Sequence, residues 1–178
     1  MIGAMTTVTK LAPPQIRKLK PLALTRENFA LYGEAILPAP DGAPLPGHEA
    51  EGLDLSRGRP RFYVMRLDGK GLGFRQITRH RRVTQCLAST LGQDWYLGVA
   101  PPKGLDDPDA KPALDDIVAF KVPGGIAIKL HAGTWHAGPF FAAKQMDFFN
   151  LELADTNEVD HHTVVLEREY GTAFEFEV

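Results

Sequence analysis

Six histidines occur in this chain, and their spacing is the first sign of chemistry. An imidazole changes charge near neutral pH, so it can take a proton, give one or bind a metal. His80 is followed five residues later by Gln85, while His131 and His136 close the run Gly125-Ile126-Ala127-Ile128-Lys129-Leu130-His131-Ala132-Gly133-Thr134-Trp135-His136. Read as a strand, that run puts Ile126, Ile128 and Leu130 on one face and Ala127, Lys129 and His131 on the other. If the polar face lines a cavity, an ammonium or imidazole there needs a partner or a ligand, because burying it alone costs several kcal/mol. Lys129 and His131 are therefore expected to face into a site. His48 lies in a proline-rich loop and reads as solvated. His161 and His162 follow a turn-like tract and read as lying outside the site. Cys86 has no obvious basic partner, so it reads as a small core residue rather than a nucleophile.

The elements that must position these groups are short. Runs rich in β-branched and aromatic residues, bounded by Gly, Pro and Asp, occur at 61–67, 73–79, 85–89, 95–100, 125–131, 140–141, 147–153, 162–167 and 173–178. This spacing predicts a mainly β, antiparallel sandwich or barrel. One short helix is expected from Thr25, a good N-cap, to Gly33, a good stop. A second short helix suits 112–120, where Leu114, Ile117 and Val118 fall at i, i+3 and i+4, with a buried strand as the alternative there. The prolines at 38, 40, 44, 46 and 60 predict a long loop. Met5 offers a second start, and the segment before it is left out of the fold reading. The domain reading is an N-terminal extension over 1–24 and a single barrel over 25–178, a size for one core.

The 20 basic and 22 acidic residues leave a formal charge of −2, which speaks against a nucleic-acid or anionic-membrane partner. No apolar run approaches the roughly 20 residues that span a bilayer. With a single cysteine, no intramolecular disulfide can form, so a cytoplasmic setting is expected.

Gly125, His131, Gly133 and His136 are similar in spacing to the second cupin motif, with His131 where that motif has proline. His80, Gln85 and Gly92 stand for the first motif, with one histidine and a glutamine where metal-binding cupins have two histidines and a glutamate. A wider match adds Arg66, Arg79-His80, Val99-Ala100-Pro101, His131-x-Gly133-x-Trp135-His136 and Asp147-Phe148, with Tyr32-Gly33 near the start. Together these resemble the ureidoglycolate lyase family, a branch of the cupin superfamily. Thr78 and Arg81 depart from the family's E-R-H-P, and the segment 150–157 resembles the plant and cyanobacterial variant.

The resemblance implies a cupin-type jelly-roll barrel and a carbon–nitrogen lyase that splits ureidoglycolate into glyoxylate and urea, late in purine and allantoin degradation. The implied catalytic set is His80, His131 and His136, acting as acid and base on a hemiaminal. His80 and Gln85 would orient the ureido group or a partner ring, and Lys129, Arg66 and Arg79 would bind the carboxylate. Glu152 would hold a histidine or amide donor, although its alternation with Leu151 and Leu153 equally fits an ordinary half-buried strand. No cofactor is required on this reading. The competing reading is a metal-dependent cupin with a divalent ion on His80, Gln85, His131 and His136, and a third is a non-catalytic module that binds a small ureide or carboxylate. A homodimer is expected by analogy, with Phe140-Phe141 and Phe148-Phe149 either at its interface or in the core.

Overall fold

The computed structural model describes residues 12–44 and 52–178; residues 1–5, Pro46 and His48 lie outside the described residues. The chain runs β1 (Gln15–Leu19), β2 (Leu22–Ala23), α1 (Arg26–Phe29), β3 (Gly33–Ile36), β4 (Pro60–Asp68), β5 (Gly73–Phe74), β6 (Gln76–Arg79), β7 (Gln85–Ser89) and β8 (Trp95–Ala100). It continues through β9 (Val118–Val122), β10 (Ala127–Leu130), β11 (Trp135–Phe140), β12 (Gln145–Leu153), α2 (Thr156–Val159), β13 (His162–Val165), α3 (Leu166–Tyr170) and β14 (Thr172–Phe176). The fold is mainly β, of the cupin type expected.

Two large sheets carry it, one ordered β3-β10-β7-β12-β4 and the other β13-β6-β11-β8-β9-β2. Alternation along each strand supplies the core between them. Ile128, Leu130, Leu87 and Phe148 from the first sheet meet Trp95, Leu97, Val99 and Phe120 from the second. The opposite face of the second sheet is apolar as well. Ile77, Ala100, Trp135, Ala137 and Val164 pack there against Phe74, Phe174 and Phe176, beneath a small third sheet ordered β1-β14-β5. Phe140, Phe141 and Phe148 are all core. Phe149 alone of the two pairs reaches the surface, where it stacks on Phe62.

Three local expectations change. The segment around 112–120 is a single 3-10 turn, Leu114–Asp116, followed by β9. Pairing with β8 from Val99↔Val118 to Trp95↔Val122 satisfies its backbone and overrides the helical spacing. The barrel also begins before residue 25, because β1 pairs in parallel with β14 and β2 with β9. The helix at Thr25 forms, and its capping box is closed by Thr25 and Asn28, but it lasts one turn.

Candidate active site

The site grows at the end of the sandwich where the chain crosses between the large sheets. On β12 the inward face reads Met146, Phe148, Asn150 and Glu152, all buried. Halfway along, apolar side chains give way to polar ones. Gln85, the first residue of β7, lies beside them: its Nε2 donates to Asn150 Oδ1 at 3.2 Å and to Glu152 Oε2 at 3.1 Å. Tyr63 on β4 donates its hydroxyl to Glu152 Oε1 at 3.1 Å and accepts from Asn150 Nδ2 at 3.0 Å. Glu152 is 1% exposed, and its partners among the described residues are these neutral donors. Gln85 Oε1 is buried without any donor among the described residues. The amide orientation follows from the network, since the reverse would point Oε1 at the Glu152 carboxylate. A buried acceptor without a donor costs about 1–3 kcal/mol, a cost that a ligand N–H would offset.

The imidazoles come from the second sheet. β6 ends at Arg79, and the next residue, His80, starts the crossing to β7. Its ring lies 5.0 Å from that of His136 on β11 and 5.6 Å from that of His161, centroid to centroid. His80 Nδ1 stands 2.6 Å from the Asp160 carbonyl, and His136 Nδ1 stands 3.2 Å from the Thr134 carbonyl. A carbonyl only accepts, so each Nδ1 carries the proton and each Nε2 keeps its lone pair. Burial favours the neutral form of both rings. Burial pushes His136 down to about 3, with the neighbouring His80 adding to the effect. Burial also lowers His80, with the neighbouring His161 adding to the effect, opposed by its bond to the Asp160 carbonyl and by the charges of Asp160 and Glu152.

Asp160 holds this crossing in place. Its carboxylate accepts the backbone N–H groups of Arg81 at 2.8 Å and Arg82 at 2.7 Å while its carbonyl holds the His80 ring. A second latch comes from the turn joining β10 to β11. Gly133 N–H donates to the His80 carbonyl at 2.6 Å. Gly133 has φ +84, and a Cβ there would meet Leu105 at 2.6 Å, so only glycine suits this position. A cleft of about 930 Å³ is lined by Leu67, Asp68, Thr78, His136 and His161 among others.

Four expected site residues lie elsewhere. Lys129 is on the outer face of its sheet, donating to Glu34 Oε1 and to the Gly52 carbonyl, each at 2.8 Å. The face of β10 turned inward is the apolar one, because burying Ile128 and Leu130 removes more apolar area from water. His131 points away from the cleft too, with Nε2 3.1 Å from the Ala30 carbonyl. Arg66 is exposed and paired bidentately with Asp147, at 2.9 Å for each contact. Arg79 is buried at 0% exposure, but as a staple. It donates to the Gly104 carbonyl at 2.8 Å, to the Asp107 carbonyl and to His162 Nδ1 at 3.1 Å, and lies 4.7 Å above the Trp135 ring.

Of the expected set, His80, His136, Gln85 and Glu152 are brought together. The sequence reading missed Tyr63, Asn150, Asp160 and His161, and Arg61, whose guanidinium lies 3.8 Å above the Tyr63 ring beside Glu152 in register. Asn150 and Glu152, recurring at period two after Met146 and Phe148, were the available signal. Among the described residues no three His, Cys, Asp or Glu side chains are grouped to hold a metal ion. The four-residue metal set does not assemble, since His131 faces the α1 end and Gln85 spends its amide on Asn150 and Glu152.

The family match covers residues 16–172, under the description ureidoglycolate lyase. The chain belongs to the ureidoglycolate lyase family. No curated protein matches it. The ureidoglycolate lyase match takes in every element that supplies His80, Gln85, His136, Glu152 and His161. No helix of the described residues is long and apolar enough to cross a membrane.

Proposed function

We propose that this protein splits ureidoglycolate into glyoxylate and urea. The observation that carries the reading is the pair of neutral imidazoles, each fixed through Nδ1 to a main-chain carbonyl and left with a basic Nε2. Ureidoglycolate is a hemiaminal: one carbon bears a hydroxyl, a carboxylate and a ureido nitrogen. Its collapse needs a base for the hydroxyl proton and a proton for the departing nitrogen.

His80 Nε2 is the base. Protonated His80 is held by the Asp160 carbonyl and favoured by the charges of Asp160 and Glu152. His136, pushed down to about 3, stays neutral and accepts a hydrogen bond from the substrate. As His80 takes the proton, the oxygen lone pair forms the aldehyde C=O, and the C–N bond breaks with its electron pair moving to nitrogen. Gln85 Oε1 accepts a ureido N–H, which supplies the donor that this buried atom lacks. Arg61, at the rim of the network, is the cation for the carboxylate.

The test is release of urea and glyoxylate from ureidoglycolate by chelator-treated wild type and His80→Ala, with bound metal quantified on the same samples. Turnover by metal-free wild type, with kcat falling about 100-fold or more in the variant, is expected. Turnover that returns only with added metal moves the assignment to a metal-dependent cupin. Absence of turnover in every sample sinks the lyase reading.

A further inference from the structure

Collapse of a hemiaminal needs an acid, and neither buried imidazole can serve. Each has its proton on the Nδ1 bound to a backbone carbonyl, so each meets substrate with a lone pair. Gln85, Asn150 and Glu152 are committed to one another, and Glu152 is an acceptor in that network. The third ring of the cluster differs in its surroundings. His161 is exposed, so its ring can exchange a proton with solvent, as a group that must be reloaded after each turnover requires. It lines the cleft with His136 and Thr78, and its ring lies 5.6 Å from that of His80. Its Nδ1 is 3.2 Å from the Thr163 hydroxyl, which lies 2.7 Å from the Thr78 hydroxyl. That contact sets the ring plane and leaves Nε2 for a reacting atom.

We propose that His161 is the general acid of the lyase reaction, delivering its Nε2 proton to the departing ureido nitrogen as His80 accepts the hydroxyl proton. This role rests on the lyase reading above. The balance is simple. The O–H bond breaks to His80, the C–N bond breaks with its electron pair going to nitrogen, and a new N–H bond forms with the proton from His161. The cluster holds one extra proton before and after, first on His161 and then on His80. His161 recovers it from His80 or from solvent when urea leaves. The groups around His161 are His80 and His136, with Asp160 next to it in the chain and Asp68, Lys70, Arg75 and Glu175 on the cleft wall. Arg75 is paired with Glu167.

The experiment is a pH–rate profile for the full-length wild type, His161→Asn and His161→Ala on ureidoglycolate, with added imidazole as a probe. In both variants kcat should fall about 100-fold or more while KM stays within about threefold. The alkaline fall of the wild-type profile, where the acid loses its proton, should disappear. Imidazole should restore turnover to His161→Ala, since the vacated ring position opens on solvent. The role is overturned if either variant keeps kcat within about threefold with the same alkaline limb, or if activity is lost with the limb intact and no response to imidazole. An inactive wild type overturns the lyase reading itself and this role with it, whereas active variants of an active wild type overturn the role alone.

Discussion

The two faces of the sheet β3-β10-β7-β12-β4 both carry charge, and they use it in opposite ways. On the outer face Lys129 meets Glu34 and Arg66 meets Asp147 in pairs of opposite sign. On the inner face Glu152 is buried among neutral partners, and Gln85 leaves an acceptor with no donor. Burial alone does not separate them, since Lys129 is 4% and Glu152 1% exposed. What separates them is completion: the outer pairs are closed, and the inner network keeps one acceptor, Gln85 Oε1, without a donor among the described residues. An incompletely satisfied polar group is tolerated in a folded protein where a ligand completes it.

The sharpest challenge to this contrast is Glu152→Gln. Loss of the carboxylate removes the charge that favours protonated His80 and disrupts the Gln85 amide, so kcat/KM should fall about 100-fold, measured by urea release. Lys129→Met, on the other face, should leave kcat/KM within about threefold and act on thermal stability instead. Equal losses in the two variants would dissolve the distinction. Gln85→Met keeps the shape but removes the free acceptor together with the donations to Asn150 and Glu152. KM should rise about tenfold or more and thermal stability should fall, because one hydrogen bond to substrate and two within the buried network are lost.

A smaller effect separates the two histidines of the shared motif. His136→Ala should lose most activity, whereas His131→Ala, whose ring bonds to the Ala30 carbonyl, should stay within about threefold of wild type. The imidazoles also set a stability profile. His136 titrates near 6.5 when unfolded and at about 3 when folded, so in that window the unfolded chain binds a proton that the folded chain refuses. Stability from this group is complete above pH 6.5 and is lost as pH falls toward 3. His80 and His162, both lowered by burial, act in the same direction. Melting temperature should decline on acidification below 6.5, less steeply in His136→Phe than in wild type.

Much of this was legible in the chain. Strand runs bounded by Gly, Pro and Asp gave β7 and β8 to the residue, because alternation and turn chemistry are local properties. His80, Gln85, His136 and Glu152 were legible from residue type and spacing. The error at β10 is instructive, since period two sorts side chains into faces without saying which face is inside. Lys129 and His131 form one polar face, yet Ile128 and Leu130 opposite them have the stronger claim to the core.

Sequence by itself thus determined β4 to β8, β10 and β12 to β14, the antiparallel β class and the family, all of which depend on patterns within a few residues or along the whole match. Tertiary structure alone decided that Asp160 grips the His80 turn across 80 positions of chain, and that His161 joins His80 and His136. It also decided that Arg79 serves as a staple for the loop after β8. Such groupings follow from which sheet lies over which, and that is settled by burying apolar faces against each other, a term that depends on the assembled core and on no single segment.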